Sequence, residues 1–245
     1  MTSTNERVAI VTGGSGGIGR ASALRLAADG IAVVVHYHGN RDRADETVAS
    51  IIESGGRAVT AGGDISEEES ATTLFDVAEQ EFGGVDVLVH TAGIMPLSPI
   101  AQLDLEEFDR VQRINVRGTF VVDKLAAQRI RPGGAIINFS TSITRLQTPA
   151  YGAYAASKAA VEAISLILAR ELRGRDVTVN TVAPGPTATP LFLDGKSVEL
   201  IEQIANNNPF QRLGTPEDIA ETVAFLAGPA RWVNGQTLYV NGGAA

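Results

Sequence analysis

The segment Val8-Ala9-Ile10-Val11-Thr12-Gly13-Gly14-Ser15-Gly16-Gly17-Ile18-Gly19 constrains this chain more than any other. A short β-branched run passes directly into a glycine-rich turn, and Arg20-Ala21-Ser22-Ala23-Leu24 then continues with helical character. Glycines between a strand and a helix let the backbone close on a pyrophosphate, to which the helix start offers free N–H groups and the positive end of its dipole. Gly14-Ser15-Gly16-Gly17-Ile18-Gly19 fits G-x-G-x-x-G, a weak pattern alone but a specific one between a first strand and its helix. Gly13, Ser15, Gly17, Ile18 and Gly19 are therefore expected to touch a dinucleotide. A P-loop is excluded, because Arg20-Ala21 stands where Lys and Ser or Thr are required.

The rest of the chain repeats the same rhythm. Val8–Val11, Ala32–Tyr37, Arg57–Ala61, Val85–Thr91, Ala135–Phe139 and Val177–Ala183 read as strands buried on both faces. Between them, Gly17–Asp29, Arg41–Ser54, Glu67–Phe82, Leu105–Ile130, Ala153–Arg173 and Thr215–Leu226 have helical period. The implied fold is α/β, a Rossmann-type doubly wound parallel sheet of about seven strands flanked by helices. No repeat or linker-like break divides it, so residues 1–245 are expected to form a single domain. One insertion interrupts the rhythm near 190–213, where Leu191-Phe192-Leu193 precedes an amphipathic stretch and reads as a lid.

Two features address chemistry. The second strand ends at Tyr37-His38-Gly39-Asn40-Arg41 without the carboxylate that would hold an adenosine ribose. Tyr37, Asn40 and above all Arg41, with Arg43 behind it, are expected there, favouring NADP(H) over NAD(H) by meeting a 2′-phosphate. Arginines on a solvated helix start are the plainer alternative. Second, Tyr154-Ala155-Ala156-Ser157-Lys158 places a phenol and an ammonium four residues apart on one helical face. A tyrosine with its ordinary pKa near 10 is a poor acid or base at neutral pH. A nearby cation favours the phenolate and moves it toward the working range.

With these residues in view, the chain resembles the short-chain dehydrogenases/reductases of the single-domain type, similar to the 3-oxoacyl-acyl-carrier-protein-reductase-like and tetrahydroxynaphthalene-reductase-like members. The resemblance runs along nearly the whole chain, through Thr12-Gly-x-x-x-Gly17-x-Gly19, Asp64, Ala92-Gly93, Asn115, a serine-rich strand end, Tyr154-x-x-x-Lys158 and Pro184-Gly185-x-x-x-Thr189. It implies an NAD(P)H-dependent oxidoreductase moving a hydride between nicotinamide and a carbonyl or secondary alcohol. Tyr154 would be the general acid or base, and Lys158 would bind the nicotinamide ribose and tune Tyr154. Asn115 would kink its helix and hold a water beside Lys158. Asp64 would meet the adenine with Ile65 alongside, and Ala92 and Gly93 would line the cofactor. Pro184 and Gly185 would floor the nicotinamide pocket, with Thr187 at the carboxamide and Thr189 toward the pyrophosphate. For the substrate-orienting hydroxyl, Ser142 is the first choice and Ser140 the second. The family's usual spacing before the tyrosine counts back instead to Thr141. Two departures stand out: His90-Thr91 replaces the family's frequent Asn-Asn, and Gly16 replaces a basic residue common in NADP-dependent members.

Composition bounds the partners. A net charge of −8 argues against nucleic acid or an anionic membrane as a general partner. Cysteine is absent, which excludes disulfides and thiolate chemistry. No apolar run reaches the ~18–20 residues of a membrane span, and the polar start leaves no room for a signal peptide. A cytoplasmic protein is expected. His36-x-His38 and His90 lack a carboxylate or fourth ligand placed by the sequence, so no metal is expected. Alanines 155, 156, 159, 160 and 163 give the tyrosine helix a small-residue face, which the family uses to pair subunits; a homodimer or homotetramer is expected. A dinucleotide-binding sensor without catalysis is the alternative, and the intact Asn115, Ser142, Tyr154 and Lys158 weigh against it.

Overall fold

The structure, a computed structural model, describes residues 7–245. In chain order its elements are β1 (Val8–Thr12), α1 (Gly17–Ala28), β2 (Ala32–Tyr37), α2 (Arg41–Glu53), β3 (Ala58–Gly62), α3 (Glu68–Phe82) and β4 (Val85–His90). There follow α4 (Leu105–Val111), α5 (Gly118–Arg129), β5 (Ile130–Phe139), α6 (Ile143–Leu146), α7 (Gly152–Glu171) and β6 (Thr178–Pro184). The chain ends with α8 (Pro190–Leu193), α9 (Val198–Asn206), α10 (Pro216–Ala227) and β7 (Thr237–Val240).

The seven strands form one parallel sheet in the order β3-β2-β1-β4-β5-β6-β7. Their alternating side chains feed two cores. Ile10, Leu88 and Ile136 face Phe75, Val122 and Leu168 of α3, α5 and α7, whereas Val11, Val89 and Ile137 face Leu26, Ile51 and Val223 of α1, α2 and α10. Burial on both faces explains why these strands read as continuous apolar runs. The strand order reverses beside β1, so the crevice at the carboxyl ends of β1 and β4 is where such a sheet receives a ligand.

The kink expected at Asn115 is present, and two departures from the sequence reading, in β5 and in α7, also shape the molecule. The Leu105–Ile130 helix is interrupted by a wider π-helical turn over Gln112–Arg117, with Asn115 at its buried face. β5 begins at Ile130, before the glycines, because Ile130 pairs with Val85 and a bulge restores the register at Val87. The tyrosine helix α7 has 20 residues with a mean hydropathy of 1.3, long and apolar enough by length and composition to cross a membrane. Here it packs on β5 and β6 as a core helix, burying Tyr154, Lys158 and Ser165. The 190–213 insertion holds α8 and α9; no residue of α9 is buried, and Leu191, Val198, Leu200 and Phe210 are exposed.

Candidate active site

The glycine turn is built for close approach. Gly13 has φ +66°, a left-handed conformation that side chains resist, and a Cβ on Gly19 would fall 2.3 Å from the Gly13 carbonyl. The turn is tied to β2 by Gly14 N–H donating to the His36 carbonyl at 2.9 Å. Gly16 precedes α1 in extended conformation, and no side chain caps the helix start. Its first N–H groups are therefore open to an anion, as a pyrophosphate requires.

A cleft of about 440 Å³ runs from this turn to Tyr154, within the size range of small-ligand sites. It gathers Gly13, Ser15, Gly17, Ile18 and Gly19 with Asp64, Ile65, Ala92 and Gly93, then Tyr154 and Lys158, and closes on Pro184, Gly185, Thr187 and Thr189. Thr189 sits against Gly17, where an added Cβ would lie 3.3 Å from its methyl group. Loops after β1, β2, β3, β4, β5 and β6 thus converge on one crevice.

At the adenosine end, the expected residues are only partly the ones present. Tyr37 turns its ring over Gly62, and Asn40 spends its side chain capping α2 through the Arg43 N–H at 3.1 Å. Arg41 is exposed and pairs with Asp45 along the helix at 3.2 Å. None of the three lines the cleft; His36, His38 and Arg43 do, with Arg43 Nη2 3.0 Å from where a Gly16 Cβ would stand. The helix cap decides this: with Asn40 at the N-cap, Arg41 falls in line with Asp45, whereas Arg43 swings over the glycine turn. Asp64 accepts from Ser66 N and Oγ at 2.9 and 2.7 Å and from Arg113 Nη1 at 2.8 Å. Burial pushes its carboxyl up, but the two Ser66 bonds and the Arg113 guanidinium outweigh it and hold it at about 2. Arg113, also a lining residue, lies 49 residues from Asp64, and no local pattern links them.

The other end of the cleft centres on α7. Tyr154 and Lys158 are buried, and Lys158 Nζ lies 5.9 Å from the phenol ring centre. Lys158 Nζ donates to the Phe139 carbonyl at 2.9 Å. Burial raises the Tyr154 phenol to about 12, with Thr141 pulling it down by a side-chain hydrogen bond. Burial likewise lowers the Lys158 ammonium to about 8. Desolvation thus dominates the Tyr154 phenol, opposed by Thr141 and not by the Lys158 ammonium, contrary to the lowered phenol anticipated from the spacing.

Thr141 lines the cleft together with Tyr154, and its side chain is the one that opposes the upward shift of the phenol. Ser142 points away from the cleft, donating to the Ala183 carbonyl at 3.3 Å and accepting from Asn241 Nδ2 at 3.2 Å. Ser140 reaches the cleft wall, but its hydroxyl is held by Glu162 at 2.5 Å. The spacing count back from Tyr154 leads to Thr141, which lines the cleft, whereas Ser142, the first choice from the local serine pattern, does not. Asn115 does not line the cleft; its amide clasps Ile94 N and O at 2.9 Å each and Ser157 Oγ at 3.0 Å. That clasp holds the loop after β4 against the π-helical turn and against α7. His36 and His90 are buried and neutral, pushed by desolvation to about 4 and about 3. Arg145 stacks on Tyr239 at 3.6 Å, which occupies the guanidinium.

Residues 13–245 match the family described as Enoyl-(Acyl carrier protein) reductase. A Picea abies protein named short-chain type dehydrogenase/reductase is 47% identical, the match covering 97% of this chain and 92% of that one. The chain belongs to the short-chain dehydrogenase/reductase family. An Arabidopsis thaliana NADPH-dependent aldehyde reductase-like protein, described as chloroplastic, is 45% identical over 97% of this chain and 93% of its own. A short-chain dehydrogenase from Burkholderia cenocepacia J2315, solved in complex with NADP, superposes with a TM-score of 0.91 at 37% identity, covering 98% of each chain. This short-chain dehydrogenase/reductase keeps the family's open glycine turn and its buried Tyr154–Lys158 pair on one fold. The turn and cleft fit a nicotinamide dinucleotide, since the open helix start and the Gly13–Gly19 contact leave space for backbone approach to its phosphates.

Proposed function

We propose that this protein is an NADPH-dependent reductase of medium-sized, partly apolar carbonyl compounds. The observation that carries the reading is the buried Tyr154 phenol in one cleft with Lys158, Thr141 and the open glycine turn. A pure dinucleotide binder has no use for a phenol aimed at the nicotinamide end.

The dinucleotide, when bound, supplies the hydride. Tyr154 donates its proton to the carbonyl oxygen, and Thr141 steadies the same oxygen through its hydroxyl. A phenol held protonated by burial suits reduction, which begins with a proton donor. Lys158 stabilises the phenolate left behind. Arg43 takes the adenosine 2′-phosphate, in keeping with the NADPH dependence and bound NADP named for relatives. An adjoining cavity lined by Met95, Leu97, Leu191 and Leu193 receives the apolar part of the substrate. The 190–213 segment acts as a lid, bringing exposed Leu191 down to exclude water from the reacting atoms. Subunits associate through the exposed apolar positions on α5 and α7, Phe120, Leu166 and Ile167, forming a homo-oligomer. Localisation in the cytoplasm fits the absence of cysteine.

The test is a set of aldehydes and ketones offered with NADPH and NADH in parallel, followed by nicotinamide absorbance. Turnover with NADPH on apolar carbonyl compounds is expected; NADPH binding without turnover on any of them would favour a sensor.

A further inference from the structure

On the sheet face covered by α5 and α7, one carboxyl group is sealed from solvent. Asp123 of α5 is 3% exposed, and Asn138 near the end of β5 is fully buried. Asn138 Nδ2 donates to Asp123 Oδ2 at 2.8 Å and to Ser165 Oγ of α7 at 2.9 Å, which uses both amide hydrogens. Asp123 Oδ1 and Asn138 Oδ1 remain as buried acceptors without a hydrogen-bond partner. Two such atoms in one cluster are costly, and more so if one carries charge.

Among the described residues, no cation offsets that charge. On α5, Lys124 pairs outward with Glu68, and Arg129 pairs with Asp76 and Glu79, all three acids belonging to α3. On β4, His90 lies in register with Asn138 and is neutral, with Nδ1 bonded to Thr12 Oγ1. On α7, Lys158 is directed to the Phe139 carbonyl, and Glu162 accepts from Ser140 and Thr144. At the far end of β5, Arg131 pairs with Asp86.

One proton satisfies both orphaned atoms. A carboxylic acid offers a hydroxyl donor beside a carbonyl acceptor, the complement of a primary amide. With the proton on Asp123 Oδ1, the acid donates to Asn138 Oδ1 while Oδ2 still accepts from Nδ2. We propose that Asp123 is a neutral carboxylic acid paired with Asn138, and that this pair is a positioning device for Lys158. The positioning half rests on the catalytic reading of Lys158 given above. Asn138 is followed by Phe139, whose carbonyl holds Lys158 Nζ, and by Ser140, whose hydroxyl reaches the Lys158 carbonyl at 3.4 Å. Clamping the amide at 138 therefore fixes the strand end that sets the ammonium against Tyr154. Burial pushes the Asp123 carboxyl up to about 7, against the pull of the Asn138 bond.

Asp123→Asn tests both halves, because an amide reproduces the donor and acceptor of the neutral acid. The first readout is denaturant stability of parent and variant across pH. The folded carboxyl titrates near 7 and the unfolded one near 4, so the parent should lose stability relative to the variant as pH rises between those values, and the difference should then level. A pH-independent difference, a parent that gains on the variant, or a variant that fails to fold would each overturn the neutral acid. The second readout is the pH profile of reductive kcat. The parent should decline through about pH 7 as the pair ionises, whereas the variant should hold until the Lys158 ammonium is lost near 8. Superimposable profiles would overturn the positioning role. A chain with no turnover would remove that role together with the functional reading, while the stability comparison would still decide the acid.

Discussion

Replacing Arg43 by alanine is expected to remove most of the preference for NADPH over NADH. The Arg43 guanidinium stands over the glycine turn, 3.0 Å from the place of a Gly16 Cβ, and lines the cleft beside His38. A 2′-phosphate bound there replaces solvent around the guanidinium with a charge-assisted hydrogen bond, an interaction of roughly 1.5–3 kcal/mol. Arg43 is exposed at the cleft rim, so the lower end applies, which is about tenfold in Kd. Arg41, engaged with Asp45, should contribute little. Titrating NADPH and NADH by nicotinamide fluorescence into the parent, Arg43→Ala and Arg41→Ala measures this directly. Arg43→Ala should weaken NADPH by about tenfold, leave NADH nearly unchanged and flatten the salt dependence of NADPH binding. A parental NADPH/NADH ratio in Arg43→Ala, or a collapsed ratio in Arg41→Ala, would refute the assignment.

The hydroxyl beside Tyr154 can be assigned by function: if the Thr141 side chain steadies the reacting oxygen as proposed, Thr141→Ala should lower reductive kcat by roughly tenfold or more, with Thr141→Ser restoring it. Ser142→Ala, which loses bonds only to Ala183 and Asn241, should keep kcat near the parent value, and equal losses in both would contradict the geometry. Hydrogen exchange should show amides of α8 and α9 exchanging quickly without ligand and gaining protection with NADPH plus a substrate analogue; unchanged exchange across Thr187–Leu213 would make the segment an ordinary surface element.

Much of the fold is legible in the chain because its strands are buried on both sides. Val33, Val34 and Val35 all lie at 0% exposure, so the apolar run and the strand coincide. β7 has four half-buried residues between glycine-rich turns, and so little apolar contrast gives it no signal. The π-helical turn at Asn115 escapes periodicity because one wider turn leaves the apolar pattern on either side intact. At the site, the glycine turn and Tyr154–Lys158 are readable because each is contiguous in sequence and local geometry brings its members together. Arg43 against Arg41 depends on helix phase set by the Asn40 cap, and Thr141 against Ser142 on which way a strand end turns. The Arg113–Asp64 pair and the Asp123–Asn138 pair come from different elements and exist only once the helices dock.

The most direct test is Tyr154→Phe, assayed for both turnover and cofactor binding. The substitution removes one hydroxyl from a buried ring and leaves its packing in place. If Tyr154 is the proton donor, reductive kcat should fall by about 10²–10⁴-fold. NADPH affinity should stay close to the parent value, because the glycine turn, Arg43 and Lys158 remain. Turnover close to that of the parent would contradict the account.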